Sequence, residues 1–352
     1  MTWHAIDSLG DAIDATRRLL LPFSVRRWLT LAVVVFFVSG ITGSNSSFNV
    51  GGLDVEISAP PPAPFPEPIR DEYVVEIAET TAASPRLLFF LLAAGAVILV
   101  GLVFLYVASV MEFVFVDIAR SEDVRIRGFF GDSTGKGLSL FGFRIGIGVL
   151  LLSILVLFGL LTFLTGGLFL LFVVVLSPVL ILAAIGLWLL LRFTADFVVP
   201  VMIAEDVGVI EGWRTFWPAL KTDWKQYGVY AVVRFLLGIA VGVAAGIGFV
   251  AIAIALLVPF GIVGLGGYLL LGTVAPAAAV PFSVGVVVLF VLALLIAVVT
   301  LVLVPLETYL RYYALFVLGA VTPEFDLVAD IRQAIEAEKG DRDGGGEGVS
   351  PG

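Results

Sequence analysis

Long apolar runs, nearly free of charge, alternate along this chain with short polar segments that carry arginine. About 20 apolar residues make one helical span across hydrocarbon, and the pattern predicts six: 27–43, 86–112, 139–165, 168–192, 229–257 and 283–306. The first is short and opens near Trp28, an aromatic suited to the membrane interface. The second continues past 112 as Phe113, Val114, Phe115 and Val116, which predicts a helix that emerges from the membrane. Only Gly166 and Gly167 separate the third and fourth, so a tight helical hairpin is expected there. The connection 258–282 is uncharged and broken by Gly261, Gly264, Gly266, Gly267, Pro276 and Pro281. A loop hugging the outer surface is its simplest reading. A re-entrant segment is the rival, and would need its backbone shielded from lipid.

Lysine and arginine set the orientation when counted loop by loop. Arg17, Arg18, Arg26 and Arg27 precede the first span, Arg120, Arg125, Arg127 and Lys136 follow the second, and Arg214, Lys221 and Lys225 follow the fourth. Arg311, Arg332, Lys339 and Arg342 follow the sixth, whereas the 44–85 loop sets Arg70, with Arg86 at its edge, against seven carboxylates. Every alternate loop agrees, so both termini are expected in the cytoplasm of a multi-pass cell-membrane protein. The chain then divides into a cytoplasmic amphipathic helix with the first span (1–43), an acidic Pro-rich outer loop (44–85), a five-span bundle (86–338) and a disordered tail (339–352). Within the outer loop, Phe48–Ile57 and Tyr73–Ala78 have β-leaning composition on either side of a stiff proline run.

A cytoplasmic segment recurs before each outward-going span. Ala12-Ile13-Asp14-Ala15-Thr16-Arg17 leads to Trp28, and Val209-Ile210-Glu211-Gly212-Trp213-Arg214 leads to Trp217 and Trp224. A weaker copy starts at Glu122-Asp123-Val124. Arg144 and Arg234 then occupy similar places, each a few residues into the next span. In the third copy Val209, Trp213, Phe216, Trp217, Leu220 and Trp224 share one helical face. In the first, Trp3, Ile6 and Ile13 oppose a polar face of Asp7, Asp11, Asp14 and Arg18. Each copy reads as an elbow helix lying in the interface. The predicted fold is therefore all-α and integral to the membrane: six transmembrane helices in three pseudo-repeated elbow-and-hairpin units.

Composition narrows the chemistry. Hydrophobic residues make up 60% of the 352 and charged residues 14%, against about 25% charged in soluble domains. With no cysteine and a single histidine, His4, thiolate catalysis, disulfides and histidine-built metal sites drop out. No cofactor and no nucleic-acid partner are expected. A net charge of −9, with 16 arginines to four lysines, fits the acidic surfaces that a high-salt cytoplasm selects. Gly131-Asp132-Ser133-Thr134-Gly135-Lys136-Gly137 looks like a phosphate loop, but it is one residue short and has glycine where Ser or Thr is required.

Across 11–30, 112–144 and 196–235 the chain resembles uncharacterised multi-pass membrane families of haloarchaea. More distantly, it is similar to the six-helix membrane domain joined to some glycerophosphodiester phosphodiesterases. The resemblance implies a membrane fold and no activity, since the catalytic barrel of those enzymes has no counterpart here.

Two residue sets stand out as candidate sites. Arg144, Arg234, Trp213, Trp217 and Trp224 are candidates for contact with lipid or a membrane partner; the blander role is that the arginines snorkel or pack, which avoids the cost of a mid-bilayer charge. Glu112, Asp196, Glu307 and Arg311, near the cytoplasmic ends of the inward-going spans, could line a polar pathway. Pairing with neighbouring arginines is the simpler role for the carboxylates. Glycines four apart, at 238, 242 and 246 and at 142 and 146, predict close packing within the chain or between subunits. The function these readings favour is a non-enzymatic membrane component that organises lipid or a partner, homo-oligomers included. A small-solute or ion transporter is the alternative.

Overall fold

A computed structural model describes residues 4–42, 85–124, 128, 130, 131 and 133–344, and no strand occurs among them. The β-like loop expected at 44–85 and the tail beyond 344 lie outside the described residues. So does part of the middle elbow segment.

The helices are α1 (His4–Leu20), α2 (Val25–Thr42), α3 (Pro85–Ser121), α4 (Thr134–Leu164) and α5 (Phe169–Phe193). A π turn, Thr194–Val198, joins α5 to the short α6 (Val199–Ala204). Then come α7 (Val209–Thr222), α8 (Trp224–Val274), α9 (Pro276–Val298), a second π turn (Val299–Leu303), α10 (Val304–Val321) and α11 (Ala329–Gly344). Among the described residues, five continuous helical stretches are long and apolar enough to cross a membrane: Leu88–Ser121, Thr134–Leu164, Phe169–Ala204, Trp224–Val274 and Pro276–Val321. The first predicted span, 27–43, falls on α2.

One end of the bundle is packed and the other is splayed. Phe113 and Phe115 of α3, Phe197 in the first π turn and Tyr312 and Phe316 of α10 are fully buried together, and α1 lays Ala12, Ala15 and Leu19 against them. Toward the opposite end, leucine, valine and phenylalanine side chains point outward on α3, α4, α5, α8 and α9. That surface suits a membrane-embedded protein, because lipid tails are as apolar as leucine and exert no pressure to bury it.

The structure redraws several predicted features. Residues 258–282 are helical, not a surface loop: α8 runs unbroken to Val274 and α9 starts at Pro276. Helix keeps every backbone group paired inside an apolar run. Gly267 lies against the Phe282 ring, and Gly264 would place a Cβ 3.3 Å from Val286, so the glycines serve the approach of α8 to α9. At Gly142, Gly146, Gly242 and Gly246 no described residue comes within 4 Å of where a Cβ would stand, which leaves packing between subunits as the part of that expectation still open to them. On α1 the buried face is the small one, Ala5, Ala12 and Ala15, while Ile6 and Ile13 point outward. Close approach to α10 favours small side chains there. The third and fourth spans do turn at Gly166 and Gly167, whose φ angles of +60° and +90° suit glycine. The helix after 112 runs on to Ser121. α11 continues into the expected tail, as far as Gly344.

Candidate functional site

Seven charged side chains from five helical stretches meet where the packed end gives way to the apolar spans. Glu112 of α3 is completely buried, at 0% exposure. Its Oε1 accepts from Arg144 Nη2 at 3.1 Å and its Oε2 from Arg311 Nη2 of α10. Arg144 also donates through Nη1 to Ser109 Oγ at 3.2 Å. Arg311 donates through Nη1 to the Ala195 carbonyl at 3.0 Å, within the first π turn, and lies 5.2 Å from the Phe115 ring centre.

Asp196, in that same turn, anchors the second half. Its Oδ2 accepts from Arg192 Nε and from the Tyr230 hydroxyl, each at 2.6 Å. Arg234 Nε lies 3.6 Å away and makes an ion pair without a hydrogen bond. Arg234 is 2% exposed. Tyr230 stacks on Tyr313 with ring centres 5.3 Å apart. Glu307, Arg311, Arg192 and Asp196 line a cavity of about 10 Å³ with Val38, Ala195 and Leu310. That is about one water's worth of space.

Two of the arginines hold matching positions on their helices. Arg144 is ten residues after the first residue of α4, and Arg234 ten after the first of α8. Each reaches back to a carboxylate of the preceding helical stretch, Glu112 or Asp196. Among the described residues, and with every group ionised, four arginines face three carboxylates. A surplus positive charge is therefore held out of water, where the net worth of an ion pair depends on complete pairing.

All four residues predicted as a polar pathway come together here: Glu112, Asp196, Glu307 and Arg311. Arg144 and Arg234, predicted as lipid or partner contacts, belong to the same cluster. The tryptophans do not. Trp213 is half-buried and donates from Nε1 to Thr194 Oγ1 at 3.0 Å, tying α7 to the π turn. Trp217 and Trp224 are exposed, with the Lys221 and Lys225 ammonium groups 5.2 and 5.9 Å from their ring centres. The sequence reading did not single out Arg192, Tyr230 or Ser109 as site residues. The spacing held a signal: Arg192 and Asp196 are four apart, as are Tyr230 and Arg234, which puts each pair on one helix face.

Outside the cluster, Lys136 Nζ lies 2.8 Å from Asp206 Oδ1 and holds that carboxyl below its ordinary range, chiefly through the hydrogen bond. Gly137 owes its place to packing, since a Cβ there would come 2.5 Å from Val110 Cγ2. No group of His, Asp or Glu among the described residues could hold a metal ion.

The chain belongs to a family of unknown function (DUF7544), whose model matches residues 3–328. No curated protein and no solved structure matches it.

Proposed function

We propose that this is a six-span membrane component, not an enzyme, that organises lipid or a membrane partner. The observation that carries this reading is the place of the charged cluster. Beyond it, α3 has 24 residues without charge (88–111), α4 has 20 (145–164) and α5 has 23 (169–191). At 1.5 Å per residue these are about 30–36 Å long, enough to fill the hydrocarbon layer. The cluster therefore stands at one membrane boundary, where a coupling site near the midplane would not be. Its charges are spent largely on each other.

In this reading α2 is the sixth span, both termini are cytoplasmic, and the second and third of the three elbow-and-hairpin units share the repeated arginine. The cluster clamps the inner ends of the spans, and the exposed Trp217 and Trp224 mark the headgroup level. Transport is the second reading, favoured by the water-sized cavity between Arg192, Asp196, Glu307 and Arg311. Native mass spectrometry of gently solubilised protein separates the two. A retained lipid or partner subunit is the expected result. A bare monomer, together with ion flux in liposomes that Glu307→Gln abolishes, would overturn the organising role.

A further inference from the structure

An apolar groove of about 350 Å³ lies between α2 and the junction of α9 with its π turn, within the size range of small-ligand sites. Leu29, Val33 and Phe36 form one wall, all exposed and spaced to share a helix face. Leu295, Ile296 and Val299 form the other, and Thr300 is the one polar residue among the groove's lining.

Arg26 extends the same face of α2. It stands three residues before Leu29, about 4.5 Å along the axis. It is exposed and makes no ion pair among the described residues. Its neighbour Arg27 is engaged, donating to the Leu19 carbonyl at 3.0 Å. Close by, Phe23 and Trp28 pack with ring centres 5.2 Å apart, an aromatic pair of the sort that sits at headgroup level. From Arg26 to Phe37 the helix rises about 16 Å, roughly half of a 30 Å hydrocarbon layer and so the depth of one leaflet.

A cation without an ion-pair partner among the described residues, at the head of an apolar track one leaflet long, has the outline of a lipid. We infer that this groove holds one hydrocarbon chain of an anionic membrane lipid, with the lipid phosphate on Arg26. The inference rests on the organising role proposed above, and it names the class of lipid and its seat. The chain supplies fit and little selectivity, since it leaves surroundings as apolar as the groove. Charge discriminates. One basic residue at an anionic headgroup corresponds to roughly fivefold enrichment over a neutral lipid.

The test uses the full chain reconstituted into vesicles of equal phosphatidylglycerol and phosphatidylcholine, extracted gently and weighed by native mass spectrometry. The wild type should keep phosphatidylglycerol over phosphatidylcholine by about fivefold at one site. Arg26→Gln should retain lipid but lose the preference. Val33→Trp, at a position 46% exposed, should fill the groove and lower the lipid count by one without disturbing the core. Thermal transitions equal to the wild type establish that both variants fold. An unchanged preference in Arg26→Gln, or an unchanged count in Val33→Trp, overturns the inference. So does a Val33→Trp protein that loses a subunit and no lipid, because the groove would then seat a second copy. Lipid kept alike by all three proteins removes the groove and leaves the organising role standing. Absence of lipid and partner from the wild type removes both.

Discussion

Replacing Glu112 by glutamine tests the ionic cluster most directly. The carboxylate is fully buried and touches two arginines from different helices, Arg144 and Arg311. Glutamine keeps the shape and removes the charge, raising the cluster's surplus from one positive charge to two. Breaking a buried pair from one side costs about 3–5 kcal/mol, because the remaining charge is left without compensation. Unfolding entropy is near 2.1 cal/mol/K per residue. Over 352 residues, the transition should fall by about 4–7 °C, and by more if part of the helix survives heating. Arg18→Gln is the reference. Its partners Glu122 and Glu338 lie at 3.5 and 3.1 Å, on side chains a third or more exposed, and exposed pairs contribute about 0–1 kcal/mol. Adding Arg311→Met to Glu112→Gln should recover part of the loss, since it withdraws one orphaned charge. The assay is thermal unfolding in detergent followed by circular dichroism and by size-exclusion fluorescence. A Glu112→Gln transition within about 1 °C of the wild type, no lower than that of Arg18→Gln, would refute the view that the cluster holds the bundle together.

Two further predictions concern the α8–α9 hairpin and the docking of α11 on α1. Gly267→Ala sets a Cβ into the Phe282 ring, so it should destabilise the α8–α9 hairpin by about 1–3 kcal/mol, with partial rescue by Phe282→Leu; an unchanged transition would mean that the two helices separate freely. Lys339 lies 2.6 Å from Asp11 and 3.5 Å from Asp14, and the Asp11 hydrogen bond, ahead of other causes, raises its pKa above the ordinary 10.5. The docking of α11 on α1 should therefore be fully supported below pH 10.5 and weaken as pH climbs through the raised value. Lys339→Met should flatten that alkaline dependence, which hydrogen exchange of α1 amides would read.

How far the sequence could be read depended on the physical reach of each signal. Helix, span length and the Gly166–Gly167 turn follow from local chemistry: an apolar run must pair its own backbone, and two glycines supply the positive φ angles. The helices and the turn met the structure, whereas the fifth span proved much longer than expected, with α8 reaching Val274. Residues 258–282 misled because glycine and proline weaken helix in water, whereas between two apolar helices the glycines allow close approach and a loop would leave backbone groups unpaired. At Gly142, Gly146, Gly242 and Gly246 the spacing showed which residues share a face, and not whether another described residue meets it.

The candidate site divides in the same way. By itself the sequence determined that nearly all charge lies at one end of the spans and that Arg144 and Arg234 hold equivalent places, since both are matters of position along a helix. The tertiary structure alone decided the partners. Glu112 and Arg311 are 199 residues apart, and no periodicity links them. Their meeting depends on how α3, α10 and the Thr194–Val198 turn pack at the packed end of the bundle, where buried charge is tolerated only beside its opposite. The groove beside α2 is likewise a product of two helices far apart in the chain.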